Sequence, residues 1–162
     1  MRFRKASNWI TDLELKLPPL ALVALVAAGM RIVATATPDF DVTVPARLIC
    51  SIGMALLGAA ICISGVVSFR MAGTTVNPMS PGSSSSLVVS GVYRYTRNPM
   101  YLGFLLILLG WAIFLSNLVA PVFLPAFVLY MNRYQIGPEE RALTCLFPSE
   151  FPKYCATVRR WV

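Results

Sequence analysis

Four apolar stretches constrain this chain more than any other feature. Leu17 to Ala36 and Leu48 to Phe69 each provide the ~20 apolar residues that a helix needs to cross a bilayer. Pro99 to Ser116 and Leu118 to Tyr134 are shorter, and only the Ser116-Asn117 pair separates them. Of the 162 residues, 57% are apolar and 13% are charged, which is more apolar surface than a soluble domain of this size can bury. The bilayer is therefore the expected solvent.

These stretches predict an all-α integral membrane protein with about four transmembrane helices in a single domain, residues 1–162. The last two stretches form a predicted helical hairpin, whose second arm is bent by Pro121 and Pro125. Along the second stretch, small residues recur at alternating steps of four and three, a spacing that lets another helix approach closely. These residues are Ser51, Ala55, Gly58, Cys62 and Gly65.

The net charge of +7 is distributed unevenly between the connections. The connection between the first two stretches carries Asp39, Asp41 and a single cation, Arg47. The other ends are flanked by Arg2, Arg4, Lys5, Lys16, Arg70, Arg94, Arg97, Arg133, Arg141, Lys153, Arg159 and Arg160. By the positive-inside rule, both termini and the middle loop are cytoplasmic, in a bacterial inner membrane or an endomembrane. Orientation explains the basic excess, so no nucleic-acid partner is expected, and Arg31 should snorkel toward the outer interface.

Histidine and cysteine usage argues against a metal centre. The chain has no histidine and four cysteines. No cysteine pair has the spacing of zinc ligands, so no metal is expected.

The middle loop, "RMAGTTVNPMSPGSSSSLVVSGVYRYTRN" (residues 70–98), is rich in Gly, Pro and Ser, which excludes a long regular helix. Connections of this length usually have a function or are disordered. A plain linker and a gating loop both remain open.

The segment after the fourth stretch is predicted to begin a new helix. Gly137 is expected to break the chain, and Pro138 suits a first helical position. Glu139 and Glu140 then fall in the first turn, where the helix dipole favours anions.

The last residues predict an amphipathic helix, on the inner membrane surface or against the bundle, with Pro148 and Pro152 at its start. Its apolar stripe consists of Phe147, Phe151, Tyr154, Val158 and Trp161.

Asn98-Pro99 is a helix-start signal, with asparagine at the N-cap and proline at the first position. The free amides of such an end attract anions, and the adjacent Arg97 strengthens that attraction. Tyr101 and Gly103 follow in the first two turns, where the glycine would let a flat group press on the helix. Ordinary capping with an interfacial aromatic anchor is the alternative interpretation.

The paired glutamates contrast with this basic end. Only seven acids exist, and Glu139 and Glu140 stand together at the exit of the fourth stretch. A ligand with a carboxylate, an ammonium and a ribose diol would suit both ends, because Arg97 would bind the carboxylate and the glutamates would accept hydrogen bonds. S-adenosylmethionine is such a molecule.

The motif "SGVYRYTRNPMYLG" followed by "EERALTCLFPSEFPKYCATVRRW" resembles the isoprenylcysteine carboxyl methyltransferase family and its phospholipid N-methyltransferase relatives. The resemblance covers roughly residues 73–162, including "GTTVNP". It implies S-adenosylmethionine binding by Arg97, Pro99, Tyr101, Gly103, Glu139 and Glu140. Asn98 stands where that family often has histidine, so proton transfer at this position is not expected, although Asn98 can still bind the cofactor.

Methyl transfer from a sulfonium requires alignment and exclusion of water more than a strong acid or base. Arg97 and Arg133 are the candidates for orienting an anionic acceptor, and Tyr93 and Asn132 for lining the pocket. Interfacial anchoring is an equally open role for each of them.

The expected function is therefore S-adenosylmethionine-dependent methylation of a lipophilic or membrane-embedded acceptor. The cofactor would enter from the cytoplasm and the acceptor laterally between the helices, with membrane lipids as partners. A carboxylate, amine, thiol or hydroxyl acceptor remains open. The alternatives are an NADPH-dependent enzyme related to sterol reductases, which this short chain disfavours, and a non-enzymatic four-span transporter or scaffold, for which Arg31 is a poor coupling group.

Overall fold

Residues 14–39, 43–73 and 86–162 are described by the structure, which is a computed structural model. These ranges are mostly helical and contain no β-strand, in agreement with the predicted all-α class. The α-helices are α1 (Pro19–Ala34), α2 (Val44–Met71), α3 (Pro99–Leu115), α4 (Phe123–Tyr130), α5 (Gly137–Leu146) and α6 (Phe151–Thr157). Two 3-10 turns, Gly91–Arg94 and Ala120–Val122, and a π-helix, Met131–Ile136, lie between them.

Within the described ranges, α2 is the one helix both long and apolar enough to cross a membrane. Its 28 residues extend about 42 Å at the helical rise per residue. The shorter α1 and α3 are also apolar, with 16 and 17 residues. Much of the apolar surface of α2 faces outward, as at Ile49 and Leu56, which are 71% and 66% exposed. Such a surface is suited to lipid contact.

The small residues of α2 pack against α3, which confirms the predicted seam. A methyl group added to Gly103 would collide with the Gly58 carbonyl and the Cys62 sulfur. One added to Gly110 would lie 2.7 Å from the Ser51 carbonyl oxygen. The two backbones can approach this closely because α3 carries no side chain at Gly103 or Gly110 and α2 carries none at Gly58.

The predicted hairpin forms between α3 and α4, and Asn117 fixes its turn. Its buried amide oxygen accepts hydrogen bonds from the Val119 and Ala120 backbone N–H groups at 2.9 and 3.0 Å. Its amide nitrogen donates to the Thr37 and Pro38 carbonyls, at 3.1 and 3.0 Å. The turn is thereby tied to the end of α1, and these contacts define one end of the bundle.

The second arm of the hairpin begins with prolines. Pro121 lies in a 3-10 turn and Pro125 in the first turn of α4. Proline is tolerated at such positions because the first N–H groups of a helix have no carbonyl partner within it.

The prediction that Gly137 breaks the chain is wrong. Gly137 has helical angles (φ −57°, ψ −50°), and the π-helix continues directly into α5. Pro138 and the two glutamates do occupy the first turn of α5, as predicted. The π-helix is followed immediately by α5, so the chain changes its helical type at Gly137 without leaving the helix.

The predicted amphipathic C-terminal helix begins near Pro152 as expected but is shorter than predicted. The helix α6 ends at Thr157, and Val158 is extended (φ −121°, ψ 131°). Phe151, Tyr154 and Val158 are buried in a small cluster with Leu87, Leu143, Phe147 and Cys155. The first part of the stripe therefore packs against the protein, and the last residues follow an extended path.

Several sequence predictions fall outside the described residues. They concern Arg2, Arg4, Lys5, Asp41 and most of the "GTTVNP" segment, as well as the central part of the middle loop, residues 74–85.

Candidate functional site

The start of α3 and the first turn of α5 meet at the end of the bundle opposite the Asn117 turn. Tyr101, in the first turn of α3, donates a hydrogen bond from its hydroxyl to the Glu139 carboxylate. Arg97, two residues before α3, forms an ion pair with Glu140, with 3.1 Å between nitrogen and oxygen. These two segments come together, as predicted from the sequence.

Glu140 is held by two guanidinium groups. Besides Arg97, the Arg160 side chain donates from Nε to Oε1 of Glu140 at 3.1 Å and from a terminal nitrogen to Oε2. The Arg97 and Glu140 side chains are only 14% and 22% exposed, so solvent screens this pair weakly. Two cations and one carboxylate leave a net positive charge, which suits an additional anion.

The C-terminal residues form part of this site. The Arg159 carbonyl accepts a hydrogen bond from the Arg97 backbone N–H at 3.0 Å, and the Arg160 carbonyl accepts one from the Asn98 side chain at 2.9 Å. The Trp161 indole donates to the Asn132 amide oxygen at 3.0 Å. These bonds hold the extended tail against the start of α3.

Glu139 sits in a less polar environment than Glu140. Its Oε1 accepts hydrogen bonds from Tyr101 and from the Gln135 amide at 3.0 Å. Burial raises the pKa of Glu139 to about 7; the Glu140 charge adds to that rise, and the hydrogen bonds from Tyr101 and Gln135 oppose it. The carboxyl group is therefore poised to gain or lose a proton near neutral pH.

Asn98 occupies the N-cap position of α3, but its side chain makes no capping hydrogen bond. Its amide donates to the Arg160 carbonyl instead, which orients the tail. The predicted helix start is confirmed, whereas the predicted capping role of the side chain is wrong.

Pro99 and Gly103 face α2. The Pro99 ring is buried and lies opposite Gly65, and Gly103 lies against Gly58 and Cys62. The space at Gly103 is filled by α2, so no flat ligand group presses on the helix there.

Tyr93 is buried in the 3-10 turn before α3, with its ring edge-on to Phe69 at 5.3 Å. The Tyr154 hydroxyl donates to the Tyr93 carbonyl at 2.7 Å. Burial, followed by the Tyr154 and Glu139 charges, raises the pKa of Tyr93 well above its ordinary value. This side chain stays neutral and supports the wall of the site.

Of the two remaining predicted residues, the structure brings only Asn132 to the cluster. Its amide oxygen accepts hydrogen bonds from both Arg160 and Trp161. Arg133 is half-exposed and faces Glu14 at 3.6 Å, beside Arg141, which also pairs with Glu14. Successive residues of a helix point in different directions, so Asn132 contacts Arg160 and Trp161 whereas Arg133 faces Glu14.

Three residues of the site were not predicted from the sequence: Arg160, Gln135 and Trp161. Gln135 lies one helical turn before Glu139, a spacing that could have identified it. Arg160 and Trp161 had no comparable signal, because their position depends on the extended path after α6.

Cysteine and acidic side chains do not cluster in threes as metal ligands anywhere in the described part of the chain. The side chains of this site instead provide hydrogen-bond donors, hydrogen-bond acceptors and charged groups. The Nε of Arg97 is buried and lacks a hydrogen-bond partner among the described residues, so this cation has capacity for a further acceptor. A carboxylate-bearing ligand fits that donor set.

Part of the chain is similar to known proteins. A family model described as phospholipid methyltransferase matches residues 46–150, more than half of the chain. A protein from Haemophilus influenzae, described only as uncharacterized, is 43% identical over 63 residues, which are 39% of this chain and all of that protein. No solved structure matches the chain. The family match includes Arg97, Tyr101, Glu139 and Glu140 and stops before Arg160.

Proposed function

This chain belongs to the phospholipid methyltransferase family, and from that premise we propose that it transfers a methyl group from S-adenosylmethionine to a lipophilic or membrane-embedded acceptor. The observation that carries the proposal is the junction of Arg97, Glu140 and Arg160 with the Tyr101–Glu139 pair at one end of the bundle. The junction combines cations, a shielded carboxyl group and amides within one small site.

The cofactor would be held by groups of opposite character. Arg97 and Arg160 would bind its carboxylate, since both are guanidinium donors and their shared partner Glu140 neutralises only one of them. Asn98, Tyr101, Glu139 and Glu140 would hydrogen-bond its ammonium and ribose hydroxyls. Tyr93, Pro99 and Gly103 would support these residues through their packing and not by direct contact.

S-adenosylmethionine, when bound, supplies a methyl group on a sulfonium, which is already a good leaving group. The chain's own residues must align an acceptor and exclude water. A carboxylate acceptor is ionised at neutral pH and needs no base. An ammonium acceptor must first lose a proton, and the Glu139 carboxyl group, with its pKa about 7, is suited to receive it at Oε.

The proposal includes a membrane-embedded bundle with four spans in one domain. The outward apolar surface of α2 and the uneven distribution of basic residues support it. In this orientation, the Glu140 site faces the cytoplasm, where the cofactor would enter, and the acceptor would arrive laterally between helices.

Binding of S-adenosylhomocysteine to the purified full chain tests the proposal. We expect saturable binding by the wild type and at least tenfold weaker binding by Arg97→Ala and Glu140→Ala, because each loses a charge-assisted contact. Arg141→Ala is the matched control, because Arg141 lies on the same helix as Glu140 and pairs with Glu14. Equal binding by all four proteins would reject the assigned site, and binding of NADPH alone would favour a reductase.

A further inference from the structure

A groove lies where α1, α2 and α3 meet, and the proposed function does not use it. It has a volume of about 460 Å³. Its lining on α3 runs from Ile107 to Phe114, that is, from about 9 to about 20 Å along the helix beyond Tyr101 at the helical rise per residue. The groove therefore lies toward the Asn117 end of the bundle, away from the site in which Arg97 and Arg160 bind Glu140.

The walls of this groove offer almost no free polar groups. The Ser51 hydroxyl donates to the Leu48 carbonyl at 3.0 Å, and the Trp111 indole donates to the Ala27 carbonyl at 3.1 Å. With these two groups satisfied, the remaining lining is aliphatic and aromatic. Such a surface suits a hydrocarbon chain, and the volume is in the range of ~300–1,000 Å³ found for ligand sites.

Two arginines lie about one helical turn beyond the groove, toward the Asn117 end of the bundle. Arg31 follows Ala27 by four residues on α1, and Arg47 precedes Ser51 by four residues on α2. Residues four apart share a helix face, so each arginine lies on the same face of its helix as a residue that lines the groove. The Arg47 guanidinium lies over the Phe114 ring, with its carbon 5.7 Å from the ring centroid.

Within residues 14–39, 43–73 and 86–162, these arginines have little competition from acids. Arg31 is exposed, and the Arg47 Nε is buried with no hydrogen-bond partner among residues 14–39, 43–73 and 86–162. Asp39, the described acid at this end, accepts a hydrogen bond from Asn117 at 3.4 Å. No ion pair joins either arginine to another described residue.

We propose that this groove binds one acyl chain of an anionic glycerophospholipid, whose phosphate is bound by Arg31 and Arg47. An apolar slot beneath two cations is complementary to this amphiphile, and guanidinium groups match phosphate oxygens. A zwitterionic lipid would gain less binding free energy from the arginines, because its own cation would lie close to them and repel them. The inference rests on the proposed membrane embedding and is independent of methyl transfer.

Photocrosslinking of the full chain in detergent tests this inference. Phosphatidylglycerol and phosphatidylcholine, each with the same photoreactive acyl chain, are compared at equal concentrations, and the labelled peptides are identified. We expect saturable labelling of groove residues by phosphatidylglycerol at one lipid per chain, with phosphatidylcholine competing on the order of tenfold more weakly.

Two variants separate head group from chain. Arg31→Gln combined with Arg47→Gln should reduce phosphatidylglycerol labelling about tenfold and remove the preference over phosphatidylcholine. Arg70→Gln, at the other end of α2, is the matched control and should leave labelling unchanged. Ala27→Phe should fill the groove and abolish labelling by both lipids, whereas Leu25→Phe, on an exposed part of α1, should not.

Circular dichroism and thermal unfolding, measured in parallel, report whether each variant is folded, and S-adenosylhomocysteine binding is measured separately. Equal labelling by both lipids in the wild type, or a preference that persists in the double variant, would overturn the proposal. Labelling spread evenly over exposed helix faces would also overturn it, because that pattern indicates a bulk lipid layer. Absence of S-adenosylhomocysteine binding by a folded wild type would contradict the proposed function alone and leave the lipid proposal standing.

Discussion

The Arg97 guanidinium and the Glu140 carboxylate are 3.1 Å apart and join the start of α3 to the first turn of α5. Arg160 reaches the same carboxylate from the C-terminal tail, so three separate segments converge on one acidic side chain. The site therefore depends on the tail as much as on the two helices.

Arg160→Ala should reduce the free energy of unfolding by about 1–2 kcal/mol, because it removes charge-assisted hydrogen bonds to a partly buried carboxylate. Chemical unfolding in detergent would measure the change. Arg141→Ala is the control, since Arg141 is 58% exposed and should contribute less than about 0.5 kcal/mol. Equal effects of the two substitutions would contradict the assigned role of the tail.

Gly103→Ala should destabilise the protein by about 1–3 kcal/mol, because the added methyl group collides with the backbone and sulfur of α2. Gly53→Ala is the matched control within a helix, where nothing lies within 4 Å of the added atom. It should be neutral or stabilising by up to about 1 kcal/mol from helix propensity. Thermal unfolding would distinguish the two, and similar melting temperatures would argue against the observed α2–α3 approach.

The contribution of Glu139 to the stability of the protein should fall as the pH rises toward neutrality. The pKa of Glu139 is raised from 4.5 to about 7 in the folded state, so the folded protein binds the proton more tightly. This contribution is complete below about pH 4.5 and is lost as the pH rises through about 7. Unfolding measured between about pH 5 and pH 8 should show this slope for the wild type and a weaker slope for Glu139→Gln.

Glu150→Gln, which alters an exposed acid, is the control for the Glu139 experiment. It should retain the slope of the wild type. A slope unchanged by Glu139→Gln would show that this carboxyl group is not the buried proton acceptor.

Asn117→Ala should cost about 2–3 kcal/mol, because it leaves two backbone N–H groups and two backbone carbonyls without their side-chain partner. Thr35→Ala, at the same end but exposed, should change stability by less than about 0.5 kcal/mol. Denaturant titrations of both variants provide the measurement. A small effect at Asn117 would mean that the hairpin turn holds its shape without this side chain.

The local features of the chain could be predicted from the sequence because they depend on neighbours along one helix. The start of α3 after Asn98, the position of Glu139 and Glu140 in the first turn of α5, and the small residues facing α3 all follow from capping preference and periodicity. The meeting of the two charged segments followed from the resemblance and from the expected hairpin, which places both at one end.

Only the tertiary structure decided which side chains reach that meeting point. Arg133 lies at the end of the fourth stretch and Arg160 beyond it, yet Arg133 pairs with Glu14 and Arg160 with Glu140. That choice depends on the path of the extended tail after Thr157, which has no periodicity to indicate it. Gly103 likewise faces α2 and not a ligand, because a missing side chain permits either approach and the packing of the two helices determines which one occurs.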